Sequence, residues 1–584
     1  MENDFIGYEC KFASYAPCKD NDGNDLVLVK RVTHCKDGTK IPEIKFIENY
    51  KRPFWVVNDA HRTYKEEKKA WEDISKCRKF TTTQANLNKS IQTALGKHYN
   101  PKHRLSITLR SPYVYGADIS TPALIKKAFM DKYPECVSDD NIAVMDIETD
   151  VVTGNGKNLI SASFTFNDEV YIGYTKEFMD TYGDPREKIQ ELYRQYINGD
   201  MVQEKIAQES DPTRREFLTK IAKLLEHKKN IEIHSKLFDT SAGVVKFVFD
   251  AAHKSMPDFV AFWNMNYDIP IMEKALHEVG ISPESVFNDP SVPYKYRRYK
   301  HVPGEAIKRT ATGKSMSKHP AELWPVVHNM ASFYLIDAMC VFKQVRVTEG
   351  NRNSYSLDNI LKEELDLGKL KFSKADHETG LGWHVLMQSK YKLEYLIYNI
   401  FDCMSIEILD SKTKDLAMTI PTLCQHSEYN KFPSTPRRLC DDLHFFLMEH
   451  GKVIATTSDN MVEELDKHVT SMNGWVVTLP SHLVQDNGLA VLKEAPHIKS
   501  LIRTYVCDID VEAGYPKIGY FFNVAQETTE REMVSIAGLP ESLRRLTGIN
   551  LTAPLTNAAE CSRDIFKLPT PMALLDQYRK EHAA

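Results

Sequence analysis

Up to about residue 137, apolar residues come in short runs broken by polar turns. LVLVKRV (Leu26–Val32) and PFWVVND (Pro53–Asp59) have the length and β-branched content of strands. KEEKKAWEDISKCRKF (Lys65–Phe80) is rich in charge with sparse apolar positions, the pattern of a solvated helix. The pattern then changes. NIAVMDIETD (Asn141–Asp150) predicts a strand, and NLISASFTF with EVYIGYT predicts an alternating hairpin. From about Asp184 to Leu225 the spacing is helical. PDFVAFWNMNYDIP (Pro257–Pro270) reads as a buried strand running into a turn capped by Pro270, and FYLIDAMCVF (Phe333–Phe342) as another apolar run. YSLDNILKEELDLGK (Tyr355–Lys369) predicts a serine-led helix stopped by Gly368. YKLEYLIYNIFDCMSIEILDSKTK (Tyr391–Lys414) predicts a long amphipathic helix, and RRLCDDLHFFLMEHGKVI (Arg437–Ile454) another helical stretch. TYVCDIDVEAGYPK (Thr504–Lys517) predicts a strand turning at Gly514.

Strands first and helices after, around one sheet, predict an α/β domain over residues 138–412, its mixed sheet flanked by helices. An α+β N-terminal domain (1–137), a helical segment (413–455) and a C-terminal segment (456–584) complete the expected organisation.

Composition narrows the class. With 584 residues, 42% hydrophobic and 27% charged, the chain reads as a multi-domain globular protein. No apolar run approaches the ~18 residues of a membrane span, and MENDFIGYEC lacks the regions of a signal peptide. The 11 cysteines are scattered, with no C-x-x-C pair, so neither a disulfide framework nor a zinc site is expected and a reducing cytoplasm is the default. Net charge is −5, so any nucleic-acid contact must come from local basic patches.

The chemistry enters with the acids of VMDIETD. Asp146, Glu148 and Asp150 share one face of a strand, with Asp146 and Glu148 ~7 Å apart along the backbone. Like charges held so close raise one another's pKa unless a cation lies between them; the strand end is either solvated or holds metal. Asp268 ends FWNMNYD, and Asp402 follows Tyr398 by one helical turn. Four carboxylates converging from strand, turn and helix can hold two divalent cations ~3.5–4 Å apart for in-line phosphoryl chemistry. Magnesium suits such an oxygen-rich site, with manganese as a substitute. YKYRRYKH (Tyr294–His301) interleaves tyrosines with Arg297, Arg298 and lysines. That pattern fits either single-strand contacts or an alternating strand with one basic and one aromatic face.

DIET, N-x-x-Y-D at Asn264–Asp268 and Y-x-x-x-D at Tyr398–Asp402 resemble the Exo I, II and III motifs of proofreading 3′–5′ exonucleases of the DnaQ-like, RNase H-fold superfamily. The tyrosine of the third motif implies the DEDDy type. IDAM (Ile336–Met339) and YSLDNILKEELDLGKLKF (Tyr355–Phe372) resemble the B-family DNA polymerases of large tailed phages of the T-even type. The resemblance implies that Asp146, Glu148, Asp268 and Asp402 are ligands of two Mg2+ ions and that Tyr398 positions the attacking water. Asn264 and Tyr267 would meet the 3′-terminal nucleotides, although two residues separate them where many relatives have three. Arg297 and Arg298, in a region where relatives have loops near the cleft, would contact DNA.

DIDVEAGYPK further resembles palm motif A. Asp510 would bind metal and, with Tyr515, the incoming dNTP, while Ala513, Gly514 and Lys517 depart from the usual residues. The finger motif K-x-x-x-N-S-x-Y-G and the D-T-D of motif C do not occur after Pro516. The resemblance therefore implies a split polymerase. This chain would bear the exonuclease and a partial palm, and a second polypeptide would carry motifs B and C. Primer–template DNA, a single-stranded 3′ end and a sliding clamp are the other expected partners, in the cytoplasm of an infected bacterial host. A stand-alone exonuclease with a vestigial palm and a non-catalytic DNA-binding scaffold are the alternative readings.

Overall fold

In a computed structural model of the chain, residues 5–62, 68–153, 156–180, 185–309, 315–456, the strands Thr529–Ser535 and Ala558–Asp564, and residue 580 are described. The chain divides into two units, Met1–Ser458 and Asp459–Ala584. In the second, Thr529–Ser535 and Ala558–Asp564 pair antiparallel. Asp510, Tyr515 and Pro516 lie outside the described residues.

The first unit is organised around a six-stranded sheet made of β1 (Ile142–Thr149), β2 (Leu159–Phe166), β3 (Glu169–Thr175), β4 (Glu232–Phe238), β5 (Phe259–Phe262) and β6 (Tyr334–Asp337). Their order across the sheet is β4-β3-β2-β1-β5-β6. β2 runs antiparallel to both neighbours, and the remaining pairs are parallel. Strand alternation divides β1 between two cores. Ala143, Met145 and Ile147 join the side built with helices α1 (Ser241–Ser255) and α2 (Met265–Glu278). Val144 joins the opposite side, packed with α3 (Ala338–Val345), α4 (Leu357–Leu365), α5 (Gly380–Lys390) and α6 (Lys392–Thr413). Asp146 and Glu148 lie in the same alternating set as Val144, so they face α6.

Around this sheet, Phe5–Pro17, Asp25–Cys35 and Lys40–Glu48 form an antiparallel three-stranded sheet, and Arg52–Val57 pairs with Cys77–Thr82 and Val114–Tyr115. Among the described residues no helix is long and apolar enough to cross a membrane.

The structure corrects several local expectations. The described part of the lysine-rich stretch is not a helix: Trp71–Asp73 pairs with Lys452–Ile454, and Cys77–Thr82 pairs with Arg52–Val57. Partners far along the chain supply backbone hydrogen bonds that the local charge pattern does not reveal. The segment from Asp184 to Leu225 is broken into Arg186–Tyr196, Gln203–Gln208 and Pro212–Lys228, with a 3-10 turn between the first two. Pro270 lies inside α2, and the chain turns earlier, at Asn264 (φ 92°, ψ 58°). Asparagine tolerates that left-handed conformation better than most residues. Asp268 therefore sits in the first turn of a helix, where the helix dipole favours a carboxylate. Helix α4 ends at Leu365 on a left-handed Asp366 (φ 53°), two residues before Gly368. Helix α6 is buried around its circumference, because the sheet covers one side and α3–α5 cover the other.

Candidate active site

Four carboxylates meet where β1, α2 and α6 converge. Oxygens of Asp146, Glu148 and Asp402 lie within 4.8 Å of one another. Asp146 and Glu148 are half-buried, whereas Asp268 and Asp402 are each 3% exposed. Asp268 feels the charges of Asp146, Asp337 and Glu148 but lies outside the tightest trio.

Burial pushes the Asp146 carboxyl up to about 7, and the Asp402 charge pushes it the same way. Burial raises Glu148 well above the carboxylate range, with Asp146 next in effect. Asp268 rises for the same reasons, burial first and then Asp146. Asp402 is raised by burial, while Lys369 draws it back. Asp268 Oδ2 and Asp402 Oδ1 are enclosed and have no hydrogen-bond partner among the described residues. An all-oxygen donor set with mutual repulsion and orphaned buried oxygens fits divalent cations such as Mg2+ or Mn2+.

Neighbouring side chains aim this set. Asn399 Nδ2 donates to Asp146 Oδ2 at 2.7 Å, and its Oδ1 accepts from Ser163 Oγ at 2.7 Å and Ser161 Oγ at 3.3 Å. The Tyr395 hydroxyl donates to Glu148 Oε2 at 2.6 Å, and its oxygen lies 2.8 Å from His384 Nδ1. Lys369 Nζ donates to the Tyr398 hydroxyl at 2.7 Å and also binds Asp402 Oδ2. Burial opposes the Lys369 charge, but Asp402, Asp146 and Glu148 outweigh it and raise its pKa. Burial, followed by the charge of Asp402, keeps the Tyr398 phenol protonated well beyond its ordinary range. Tyr398 therefore acts as a hydrogen-bonding group at neutral pH and not as a base.

Spacing on α6 held a signal for Tyr395 and Asn399: with Tyr398 and Asp402 they form one polar stripe at i, i+3/i+4, i+7 along one face of the helix. Nothing in residue type or spacing marks Lys369. It reaches the site because the loop after α4 carries it against α6.

Asp337, the N-cap of α3, accepts from Met265 N at 2.8 Å through Oδ2 and from Cys340 N at 3.0 Å through Oδ1. It thereby ties the start of α2, and with it Asp268, to β6. Replacing Asp337 with alanine leaves both buried N–H groups without that partner, at about 1–3 kcal/mol each. The expected outcome is a urea midpoint lowered by an amount equivalent to about 2–6 kcal/mol, measured by circular dichroism.

Of the expected DNA-contact residues, Asn264 is half-exposed at the start of α2, and Tyr267 is 47% exposed with its hydroxyl 2.9 Å from Thr149 Oγ1. Tyr267 thus stands beside the end of β1. YKYRRYKH forms a 3-10 turn at Tyr294–Tyr296 followed by a strand at Lys300–Val302. Arg297 donates to the carbonyls of Val292 (2.9 Å) and Pro290 (2.8 Å), and Arg298 to Ser14 Oγ at 3.2 Å. Those contacts engage both guanidinium groups away from the carboxylates.

No family model matches the chain. Over 214 residues, 35% of this chain, it is 25% identical to the DNA-directed DNA polymerase of Escherichia phage RB69. The match spans 20% of that relative's length. The chain is thus distantly related to a phage DNA polymerase.

Proposed function

We propose that residues 138–412 form a 3′–5′ DNA exonuclease of the RNase H-like, DEDDy type within a B-family polymerase lineage. The observation that carries the reading is the meeting of Asp146, Glu148 and Asp402 beside the protonated Tyr398. A mixed sheet with helices on both faces, and the distant relationship to a phage polymerase, support it.

Asp146, Glu148, Asp268 and Asp402 would hold two Mg2+ ions. Bound there, the ions supply charge stabilisation for a phosphodiester under attack and lower the pKa of water. The chain's own groups do the positioning. The Tyr398 hydroxyl, held by Lys369, directs the attacking water by hydrogen bonding. Tyr395 and Asn399 keep Glu148 and Asp146 aimed at the same point, so little reorganisation is needed during reaction. Asn264 and Tyr267, near the entrance, would meet the terminal nucleotides, with the Tyr267 ring available for base stacking.

The test is digestion of single-stranded DNA labelled at one end or the other, with the full chain in Mg2+. Shortening from the 3′ end is expected, with no activity in EDTA. The reading fails if purified chain leaves the strand intact, or if the double substitution Asp146→Ala/Glu148→Ala digests it at the unmodified rate. The first outcome would favour the non-catalytic scaffold, and the second would mean a contaminating nuclease or a wrong site.

The raised carboxyls predict a pH dependence. A carboxyl near 4 when unfolded and about 7 when folded, as for Asp146, stabilises the fold while protonated. That contribution is present below about pH 4 and is lost as pH rises to about 7. In EDTA the melting temperature is expected to fall across that window. Added Mn2+ is expected to raise it more at about pH 8 than at about pH 5, because the ionised carboxylates bind the cation. Equal gains at both pH values, read by differential scanning fluorimetry, would argue against a metal at these residues.

Asp510, Tyr515 and Pro516 support a palm role for the C-terminal unit, with Asp510 as a metal ligand and Tyr515 against the nucleotide. Templated synthesis is proposed for an assembly in which other residues supply motifs B and C, from a second polypeptide or a continuation of this one. Primer extension by the reconstituted assembly is the measurement. If Asp510→Ala leaves extension intact, the palm assignment is wrong.

A further inference from the structure

The Tyr395 hydroxyl that aims Glu148 has a second neighbour. His384, on α5, places Nδ1 2.8 Å from the phenol oxygen, and that oxygen lies 2.6 Å from Glu148 Oε2. The directions of the two bonds are linked, because a phenol has a single O–H and a neutral imidazole a single N–H. Burial, with the Lys369 charge next, lowers His384 to about 4, so its ring is neutral at pH 7. The phenol is protonated at that pH. Once its proton is given to an ionised Glu148, the oxygen can only accept from His384. The imidazole hydrogen then sits on Nδ1 and leaves Nε2 as a bare acceptor. The other tautomer would turn a lone pair towards the phenol and compete with Glu148 for its proton.

Helix α5 holds the ring in that place. Gln388, one turn after His384 and 2% exposed, donates from Nε2 to the Thr149 carbonyl at 2.9 Å and accepts from Val151 N at 3.0 Å. These bonds fasten α5 to the end of β1, and Gln388 also lies against the Tyr395 phenol. His384 packs edge-on to the rings of Tyr395 and Tyr398, with centroids 5.8 and 6.0 Å apart. We propose that His384 is a positioning residue for the metal ligands: its Nδ1–H turns the Tyr395 proton onto Glu148 Oε2 and so holds that carboxylate with its other oxygen offered to a cation. Groups that fix a ligand in this way govern both metal affinity and rate. The inference rests on reading these carboxylates as a metal site.

The test pairs Mn2+ uptake with digestion of single-stranded DNA, both on the full chain. Uptake is read from the electron paramagnetic resonance of the free ion, as the binding that Asp146→Ala/Glu148→Ala loses. His384→Phe keeps a ring but has no N–H. It is expected to weaken Mn2+ binding and lower kcat, each about tenfold, with KM for DNA changed less than about twofold. In His384→Asn the side-chain amide reaches the place of Nδ1, and most of both losses is expected to be recovered, which separates a missing N–H from a folding defect. Adding His384→Phe to Tyr395→Phe is expected to cost nothing further, because the imidazole acts through the phenol. Unchanged uptake and kcat in His384→Phe, no recovery with asparagine, or a further loss in the double variant overturns the proposal while the metal site stands. An unmodified chain that takes up no Mn2+ at these carboxylates overturns the metal reading and the proposal with it.

Discussion

With asparagine in place of Asp402, nuclease activity is expected to fall about 10^3-fold while the metal-free protein keeps its fold. The two effects have one cause. Asp402 contributes an oxygen to the trio within 4.8 Å, and its Oδ1 is enclosed without a partner among the described residues. Asparagine keeps the shape and an acceptor for Lys369 but removes the charge that a divalent cation needs. The same removal relieves repulsion on Asp146, whose carboxyl Asp402 helps push up to about 7, and that gain offsets part of what Lys369 loses with its charged partner. Tyr398→Phe deletes only a water-orienting hydroxyl and should cost about 10–10^2-fold. Rates from end-labelled DNA and melting curves on the same preparations check both. An Asp402→Asn protein that retains activity would remove Asp402 from the site, and one that both loses activity and melts much lower would mean the loss reflects unfolding.

Alanine at Asp258 is expected to destabilise the first unit by about 3–5 kcal/mol, the usual cost of orphaning one member of a buried ion pair. Lys30, 1% exposed, reaches from the N-terminal sheet to Asp258 Oδ1 at 3.2 Å. Its Nζ also donates to the carbonyls of Met256 at 2.6 Å and Pro257 at 3.0 Å. Burial lowers the Lys30 pKa and Asp258 raises it again. Without the carboxylate, the ammonium keeps carbonyl partners at Met256, Pro257 and Ser332 but loses its adjacent opposite charge. The double substitution Lys30→Met/Asp258→Ala is expected to recover most of the loss, since a long apolar side chain fills the space without a charge to solvate. Urea unfolding followed by circular dichroism reads both. A loss below about 1 kcal/mol in the single variant would mean that water already reaches the pair.

Much of the candidate site was legible along the chain because its parts are local. Two-residue alternation puts Asp146 and Glu148 on one face of β1, and helical spacing puts Tyr398 and Asp402 on one face of α6; neither needs knowledge of anything distant. The hairpin of β2 and β3 and the helix Thr435–Glu449 came through for the same reason, since each carries its own period or turn, whereas the end of that predicted helical stretch, Lys452–Ile454, is a strand. Other features depend on what packs against them. Whether Trp71–Asp73 is strand or helix is decided by Lys452–Ile454, far along the chain. Whether α6 is half-exposed or enclosed is decided by the sheet and by α3–α5 around it. Arg297 and Arg298, basic in the sequence, are taken up by carbonyls and by Ser14.

The residue pattern by itself determined the acids, their faces and the order of most of the elements, because periodicity is a property of each segment alone. Only the tertiary structure decided that Lys369 reaches Asp402 and Tyr398, that Asp337 anchors Asp268's helix, and that Arg298 reaches Ser14. Those contacts join residues from separate segments, and a buried charge or N–H group is satisfied by whatever partner packing brings to it, which local spacing does not specify.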